Sequence, residues 1–359
     1  MSAPEPVLLR PGGSVPPERT WPAAERLVPE ALASAQGADL IELGTTLADH
    51  LGVTLAGPGE GQTRELWEVL ATLGAADLTL ARVVEPHLDA VAILRQAGIP
   101  ENRWPSGLLG VYAAEGPGRR LTAERASGSD GSWLLSGDKP WCSLATHVGG
   151  FLVTAFVSDS ERALFLVDRS GHPAPTVVEG TWASRGLAAV ESPAQSFEGV
   201  PAVAVGGPGW YLERPGFAWG GMGVAAVWHG GAVGVARRLH AQARQRELDQ
   251  IGQMHLGAVD AALHRSRAAL DEAARLIDAG LATGADGARL ALRIRQSVRV
   301  CAESVLAAAA HAMGPAPLTG EELHARRVAD LTVYLRQEHA ERDQAALGRG
   351  IAGETTPPW

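Results

Sequence analysis

Hydrophobic residues recur at helical spacing in the first third of the chain, between residues 21 and 107. The clearest segment is 77–96, which is followed by Gly98 and Pro100, residue types that commonly end a helix. One face of that segment carries Leu80, Val84, Leu88 and Val91. Shorter helical patterns occupy 22–27, 39–43 and 63–70. The pattern predicts an N-terminal helical domain.

Near residue 108 the pattern changes to short apolar runs of strand length. Gly, Pro, Ser and Asp separate these runs at the spacing of a small antiparallel β-structure. Segment 132–143 is predicted to form a strand, a tight turn and a second strand. The strongest runs are 109–112, 133–135, 151–157 and 163–167. Residues 108–212 are therefore predicted to form a central antiparallel β-barrel or sandwich.

Helical spacing returns over residues 213–350. Four long helices are predicted there, at 224–248, 256–279, 289–313 and 323–347. Such a succession favours an up-and-down bundle. The predicted fold class is α+β and mostly α, with an N-terminal helical domain, a central β-domain and a C-terminal four-helix bundle. Tails are predicted at 1–20, ordered only by docking, and at 351–359, where residues 353–359 are predicted to be disordered.

Composition argues against several classes of protein. The chain has 359 residues and a formal net charge of −9, which argues against binding to nucleic acid or to an anionic membrane. Cys142 and Cys301 are far apart and form no C-x-x-C motif, so both are predicted to be buried thiols and no metal site is expected. The N-terminus lacks a signal-peptide pattern and no apolar run has the length of a membrane helix. The predicted location is cytoplasmic.

One segment is more specific than the composition. Residues 137–143 read G-D-K-P-W-C-S and contain Lys139, the single lysine among 31 lysine and arginine residues. This segment resembles the G-x-K-x-W-[IC]-[TS] motif of the acyl-CoA dehydrogenase family of flavoproteins. Segments 112–116 (Y-A-A-E-G), 196–201 (S-F-E-G-V-P) and 327–330 (R-V-A-D) also resemble motifs of that family. The likeness extends over residues 20–350.

The resemblance implies a cofactor, a substrate class and an assembly. In that family the Trp and the hydroxyl residue of the motif lie beside the ring of FAD, which implies that Trp141 and Ser143 flank a flavin. The other residues that the likeness assigns to the cofactor are Tyr112, Ala114 and Cys142. The family's R-x-x-F-G motif, which contacts the FAD pyrophosphate, is absent, and Arg244 or Arg246 is the predicted substitute. The implied substrate is an acyl thioester carried by CoA or by a carrier protein, and the implied acceptor is an electron-transfer flavoprotein. Because the family's FAD sites are shared between subunits, a homodimer or homotetramer is also implied.

The resemblance further implies a catalytic base. In family members that place the base near this segment, a Glu follows the Asp by eight residues, which is the spacing of Asp330 and Glu338. Such a carboxylate removes the α-proton of the acyl group while the flavin takes a hydride from the β-carbon. A second interpretation is open, in which Glu338 lies on an exposed helix face and pairs with Arg342 at i,i+4. His339 is an alternative acid or base.

Several family motifs are altered in this chain. Ala114 replaces a Thr that contacts the flavin, and residues 118–120 (G-R-R) replace a G-S-D that helps to hold acyl-CoA. Gly314-Pro315 stands where the family has a glycine-rich turn, and proline removes an amide donor there. Three functions are therefore open: an FAD-dependent acyl-CoA dehydrogenase-like oxidoreductase, a non-catalytic binding or assembly subunit, and a flavin monooxygenase-like enzyme or carrier-protein acyl dehydrogenase.

Three other features complete the predictions. Lys139, near Asp138 and Glu115, is predicted to form a surface ion pair. Segment 220–226 contains G-x-G-x-x-A, but no clear strand precedes it, so the glycines are predicted to allow close helix packing. A ligand cleft or a buried polar network is expected around Arg82, His87 and Asp89.

Overall fold

The computed structural model describes residues 5–10, 38–127, 131–356 and 358. The helix predicted at 22–27 lies outside the described residues. The N-terminal helices are α1 (Ala38–Thr54), α2 (Thr63–Ala76) and α3 (Leu78–Gln96), and a 3-10 turn follows at Glu101–Arg103. Helix α3 confirms the helix predicted at 77–96.

Helix α3 begins at a side-chain cap. The Asp77 carboxylate accepts hydrogen bonds from the backbone amides of Thr79 and Leu80, at 2.9 and 3.3 Å. These bonds satisfy two donors that the start of a helix otherwise leaves free. Leu80 and Val84 are fully buried, as their shared face predicts. The cap and this apolar face together fix the position of α3 in the N-terminal core.

Residues 5–10 pack against α2. The amide of Leu9 donates to the Glu68 carboxylate at 2.9 Å, and the Leu9 carbonyl accepts a hydrogen bond from Arg267 at 2.6 Å. Leu9 is fully buried. This part of the predicted tail is thus ordered by docking, since both its polar and its apolar groups find partners in the folded domain.

Among the described residues, seven strands form the central sheet. They are β1 (Leu109–Tyr112), β2 (Leu121–Arg125), β3 (Ser132–Lys139), β4 (Gly150–Phe156), β5 (Arg162–Asp168), β6 (Thr176–Val178) and β7 (Ala194–Val205). Their order is β1-β4-β2-β3-β7-β5, with β6 beside β7. β4 also pairs with β5. The five strands β4, β2, β3, β7 and β5 are therefore paired in a closed ring.

Two features of the sheet differ from the prediction. The pairings of β4 with β1 and with β2 are parallel, so the sheet is mixed and not antiparallel throughout. The tight turn predicted within 132–143 was wrong, because β3 continues to Lys139 with one bulge. Gly137 has a φ of 111° and lies directly against the carbonyl of Arg120. A positive-φ glycine inside a strand thus produced the turn-like pattern.

Helices form the C-terminal part of the chain. They are α4 (Trp210–Glu213), α5 (Pro215–Gln245), α6 (Gln250–Asp278), α7 (Gly284–Met313), α8 (Ala316–Gly320), α9 (Glu322–Tyr334) and α10 (Glu341–Ala352). Helix α5 packs against α2, α6, α7 and α9. The bundle therefore shares its central helix with the N-terminal domain.

The fourth predicted helix, 323–347, is broken. Helix α9 ends at Tyr334, a 3-10 turn follows at Leu335–Gln337, and Ala340 has a positive φ of 49° before α10 begins. The sequence prediction of one continuous helix was wrong, because the local pattern does not reveal the turn. Helix α10 extends into the predicted tail, and Glu354 beyond it forms an ion pair with Arg289.

The glycine-rich segment 220–226 lies inside α5 and is not a strand-to-helix loop. A Cβ on Gly220 would lie 2.8 Å from the Oδ1 of Asp89 on α3. Further along α5, a Cβ on Gly230 would overlap the carbonyl oxygen of Ala71 on α2. The predicted close packing is confirmed. Across the described residues, no helix is both long enough and apolar enough to cross a membrane.

Candidate functional site

The loop between β3 and β4, residues 140–149, contains the most specific part of the sequence. Trp141 is 50% exposed and has a positive φ of 53°. Leu144 also has a positive φ, 55°, so two strained residues flank Cys142 and Ser143. Folding alone does not favour a large exposed aromatic side chain on a strained backbone. The loop is therefore a candidate site.

Ser143 lies in a polar cluster built from separate parts of the chain. Its Oγ accepts a hydrogen bond from the Nη2 of Arg82 on α3, at 3.2 Å, and lies 2.9 Å from the Oγ of Ser192. Its carbonyl accepts a hydrogen bond from the Tyr112 hydroxyl at 2.9 Å. Tyr112 is buried against Phe151, with ring centroids 4.8 Å apart. Tyr112 thus holds the loop from the side of the core.

Glu85 joins this cluster to the C-terminal helices. Its Oε2 accepts hydrogen bonds from Arg82 Nη1 at 3.0 Å and from the Tyr334 hydroxyl at 3.1 Å. Burial raises the pKa of Tyr334 well above its ordinary value, so the hydroxyl keeps its proton. We refer to Arg82, Glu85, Ser143, Ser192 and Tyr334 as the junction cluster, because they join α3, the sheet and the end of α9.

A largely apolar cavity, partly open to solvent, lies beside the junction cluster. Glu85 lines it, so the cluster and the cavity share a wall. Asp89 and Arg95 are further charged residues in that wall. The apolar lining includes Leu55, Leu66, Trp67, Leu70, Leu88 and Trp219. A small organic molecule held here would contact hydrophobic surface on most sides and meet carboxylates on one.

Helix α3 presents its polar residues to different neighbours. The Nδ1 of His87 accepts a hydrogen bond from the backbone amide of Leu109 at 3.1 Å, and burial lowers the pKa of His87. His87 therefore has a structural role. Burial raises the pKa of Asp89 to about 6, and the nearby Arg214 guanidinium, 3.9 Å away, opposes that shift. The predicted buried polar network is thus present around Arg82, and Asp89 lines the cavity.

The predicted ion pair of Lys139 with Glu115 forms, but Lys139 is not on the surface, so the predicted surface position was wrong. Lys139 is fully buried, and its Nζ donates to Glu115 Oε1 at 2.6 Å and to the Thr154 carbonyl and Oγ1 at 2.9 Å. Burial lowers the pKa of Lys139, and the hydrogen bond to Glu115 opposes that shift. Lys139 is the last residue of β3, and its hydrogen bonds to Thr154 connect this strand to β4 just before Trp141.

Glu338 is also buried, so the exposed helix pair with Arg342 was wrong. It lies after the 3-10 turn, in extended backbone, and is 3% exposed. Its Oε2 lies 2.6 Å from the Nε of Arg299 on α7 and accepts a hydrogen bond from the amide of Ala340 at 2.8 Å. The break in the predicted helix turns the carboxylate inward. Its neighbour His339 is exposed instead and lies beside Asp343.

The residues predicted to bind a cofactor are brought together only in part. Trp141, Cys142 and Ser143 lie in one loop, with Tyr112 bonded to it, and Cys142 is buried as predicted. Ala114 is exposed two residues beyond β1. Arg244 is exposed in the last turn of α5. It lies 21 residues beyond Gly223 in the cavity wall, about 32 Å along the helix axis at about 1.5 Å per residue.

Sequence reasoning missed three members of the junction cluster: Glu85, Ser192 and Tyr334. Glu85 carried a usable signal, because it stands three residues after Arg82 on a predicted helix and i,i+3 residues are neighbours. Ser192 and Tyr334 have no such signal. They reach the site through the fold, from positions 49 residues away from Ser143 and 249 residues away from Glu85.

Solved structures of flavin-binding proteins share the fold of this chain, the acyl-CoA dehydrogenase fold. KijD3, in complex with FMN and a dTDP-amino-keto-sugar, matches with a TM-score of 0.77 at 19% identity, over 93% of this chain and 92% of that one. Dibenzothiophene monooxygenase (TdsC) from Paenibacillus sp. A11-2 matches with a TM-score of 0.70 at 19% identity, over 94% and 92%.

A third structure connects the fold to the family suggested by the sequence. Glutaryl-CoA dehydrogenase from Mycobacterium smegmatis, in complex with FADH2, matches with a TM-score of 0.74 at 16% identity, over 92% of this chain and 94% of that one. No protein-family model and no curated protein sequence matches the chain. The chain is thus a divergent protein with the acyl-CoA dehydrogenase fold, and the resemblance noted in its motifs is confirmed at the level of the fold.

Proposed function

We propose that the protein is a flavin-dependent oxidoreductase whose flavin lies against the β3–β4 loop. The observation that carries this proposal is Trp141, a half-exposed indole on a strained backbone two residues from Ser143. In a chain with this fold, the same loop is the one whose sequence resembles the flavin-contacting motif. Strain and exposure at one point are typical of a binding surface.

A flavin fits the residues present at this loop. The indole face of Trp141 suits a flat aromatic ring system. Ser143 and Arg82 offer hydroxyl and guanidinium donors to carbonyl and nitrogen acceptors of such a ring. A bound flavin supplies an acceptor for two electrons, while the protein binds and orients it. FAD is the flavin that the sequence resemblance predicts, and FMN is the flavin bound by KijD3.

The cavity beside the junction cluster is the proposed substrate site. Glu85 lines the cavity, and the hydrogen bonds from Glu85 to Arg82 and from Arg82 to Ser143 connect it to the loop. A substrate there would lie one turn of α3 or less from the residues proposed to hold the flavin. Apolar walls exclude water, which strengthens the polar contacts that remain.

Flavin titration tests the proposal. FAD and FMN are added separately to the purified chain, and binding is followed by flavin absorbance and by quenching of flavin fluorescence. Trp141→Ala is expected to weaken binding about tenfold, which is about 1.4 kcal/mol, because the stacking surface is lost. Trp141→Phe keeps an aromatic face and is expected to retain most of the affinity.

The matched control is Leu134→Ala, which removes another exposed apolar side chain from β3. It is expected to leave flavin affinity unchanged. Failure of the wild-type chain to bind either flavin would reject the proposal and favour the non-catalytic binding or assembly subunit. Equal affinities for wild type and Trp141→Ala would place the flavin elsewhere.

Acyl-thioester dehydrogenation is a second, more specific candidate. It is supported by the burial of Glu338, at the spacing from Asp330 that the resemblance associates with the catalytic base. Anaerobic addition of acyl-CoAs of several chain lengths would then bleach the flavin, and Glu338→Gln would abolish bleaching. Glu341→Gln, at an exposed position nearby, is the control. An acceptor of the electron-transfer flavoprotein type belongs to this candidate.

The two candidates make different predictions. Bleaching that survives Glu338→Gln would reject this residue as the base. A flavoprotein that no acyl-CoA bleaches would instead favour the flavin monooxygenase-like alternative, for which flavin reduction comes from another donor and oxygen uptake depends on substrate. The same assay on acyl groups carried by a carrier protein covers the remaining alternative.

Self-association through the C-terminal helices is part of the proposal. Large apolar side chains remain exposed on α6, α7 and α9: Ile251, Met254, Val300 and Leu323. Exposed apolar residues on several helices of the C-terminal part suit an interface between copies of the chain. Light scattering coupled to size-exclusion chromatography is expected to give the mass of a homodimer or homotetramer, and the mass of one chain would reject it.

A further inference from the structure

The cavity beside the junction cluster contains one charged group whose bonding capacity is unused. Among the described residues, no donor lies within hydrogen-bond distance of the Asp89 carboxylate. The nearest cation is Arg214, whose Nη2 is 3.9 Å from Asp89 Oδ1. The Arg214 Nη1 donates instead to the Gln96 amide oxygen at 2.6 Å. Asp89 thus presents acceptor oxygens to the cavity with no short partner.

The other charged groups of the cavity wall are already occupied. Glu85 accepts hydrogen bonds from Arg82 and Tyr334. Arg95 Nη2 donates to the carbonyl of Gly52 at 2.9 Å. A ligand entering the cavity therefore meets one carboxylate, that of Asp89, which accepts no hydrogen bond from the described residues.

The remainder of the wall sets the character of that ligand. The indole of Trp219 is held in the wall, because its Nε1 donates to the Ala282 carbonyl at 2.7 Å. Trp67 and several leucines complete an apolar enclosure. Aromatic faces also attract cations at short range. Hydrophobic walls, the indole of Trp219 and a carboxylate without a short hydrogen-bond donor together suit a molecule that is apolar over most of its surface and cationic at one end.

We propose that the cavity binds a small apolar molecule with a protonated amine, and that Asp89 is the residue that recognises the amine. This deepens the proposed function by naming its substrate class, and it rests on that function only for the chemistry that follows binding. A charge-assisted hydrogen bond between ammonium and carboxylate supplies the specificity, and the apolar walls supply most of the contact area.

The glycines of α5 supply the room for this ligand. Gly220 and Gly223 line the cavity from inside a helix, where glycine is less favourable than alanine by up to about 1 kcal/mol. A Cβ on Gly223 would meet Trp67 and Leu70 at ordinary contact distances of 3.5 and 3.6 Å. A larger side chain at Gly223 therefore projects into the space that the ligand is proposed to fill.

Three probes with one carbon skeleton test the proposal: 4-phenylbutylamine, 4-phenylbutanol and 4-phenylbutyrate. Binding to the full chain is measured by isothermal titration calorimetry near neutral pH, with and without added flavin. The amine is expected to bind at least about tenfold more tightly than the alcohol, since hydrogen bonds to charged groups are the stronger ones. The acid is expected to bind most weakly.

Two variants locate the binding. Asp89→Asn keeps the size of the side chain and is expected to reduce the preference for amine over alcohol to less than about threefold. Gly223→Leu fills the cavity and is expected to abolish binding of both. The controls are Asp260→Asn and Gly257→Leu, at exposed positions of α6. Both controls are expected to bind the amine like the wild type, and circular dichroism checks that each variant is folded.

The outcomes separate this proposal from the proposed function. Absence of amine binding, or an amine preference that Asp89→Asn leaves intact, overturns the amine site. Flavin affinity measured on the same samples is independent of that result, so a flavin-binding chain without amine preference keeps the proposed function and loses only the substrate class. If Gly223→Leu does not fold, the Asp89→Asn comparison decides by itself.

Discussion

The guanidinium of Arg82 donates to the hydroxyl of Ser143 across 3.2 Å, from Nη2 to Oγ. This bond connects a helix of the N-terminal domain to the loop that carries Trp141. The same guanidinium bonds to Glu85, which lines the cavity. Arg82 therefore determines how the proposed flavin surface and the proposed substrate cavity are arranged relative to each other.

The contributions of Arg82 and Glu85 to stability are expected to depend strongly on each other. Both side chains are about nine-tenths buried, so Arg82→Met leaves Glu85 without its charged partner. We expect a loss of about 3 kcal/mol in the free energy of unfolding. The double variant Arg82→Met/Glu85→Gln removes both charges and is expected to recover at least about 1 kcal/mol of that loss. Urea denaturation of the four proteins measures the coupling, and strictly additive losses would show that the pair is not coupled.

Lys139 is expected to contribute more to stability than a surface lysine. Lys139→Met keeps the apolar part of the side chain but removes the ammonium from Thr154 and Glu115. The expected loss is about 2–4 kcal/mol, since Glu115 keeps Arg162 as a second partner at 3.2 Å.

Arg119→Met is the matched control for Lys139→Met. Arg119 forms a partly exposed ion pair with Asp138 at 2.8 Å, and such pairs contribute less than about 1 kcal/mol. Both variants are compared by urea denaturation under the same conditions. Equal losses would contradict the importance assigned to the burial of Lys139.

Close packing of α5 against α2 predicts opposite effects for two glycine substitutions. Gly230→Ala places a Cβ where the Ala71 carbonyl oxygen already lies, so the helices must separate and several kcal/mol are expected to be lost, on the order of an overpacked core. Gly257→Ala, on an open face of α6, is expected to raise stability by about 0.5–1 kcal/mol. Thermal unfolding followed by circular dichroism measures both. A neutral Gly230→Ala variant would contradict the contact.

The raised pKa of Asp89 predicts a specific pH dependence of stability. Burial raises this pKa from 3.8 to about 6, so between those values the folded chain binds more protons at Asp89 than the unfolded chain does. Stability contributed by this group therefore falls as pH rises through that window, by at most about 1.4 kcal/mol per pH unit. The charges that bear on the carboxylate are those of Arg214, Glu85 and Arg82, with the Tyr211 hydroxyl nearby.

Asp89→Asn removes this titration. As pH rises from about 4 to about 6, the unfolding free energy of the wild type is expected to fall relative to that of the variant. Urea denaturation at several pH values measures it, with Asp260→Asn as the control. Parallel pH profiles for wild type and Asp89→Asn would show that the pKa is not raised.

Local patterns were sufficient for much of the fold. The apolar face of 77–96 predicted α3, because buried residues on a helix repeat with its own period. The motif at 137–143 identified the loop that carries Trp141 and Ser143, since the residue types themselves carry the resemblance. These inferences depend only on residues that are close together in the sequence.

Contacts between distant segments could not be predicted from local patterns. Lys139 was expected at the surface, and an exposed position was one of two interpretations of Glu338, yet partners from other elements make the burial of both possible. Lys139 meets Thr154 of β4, and Glu338 meets Arg299 of α7. A buried charge is tolerated only where such partners exist, and no local pattern shows them.

By itself, the sequence determined the types of element, their order and the loop at which chemistry is proposed, because those follow from periodicity and residue type. The tertiary structure decided which charges are buried and which remain available. It brought Ser192 to Ser143 and Tyr334 to Glu85, and it left Asp89 facing an apolar cavity without a close donor. The physical reason is that burial and hydrogen bonding are properties of the assembled fold, in which residues far apart in the chain become neighbours.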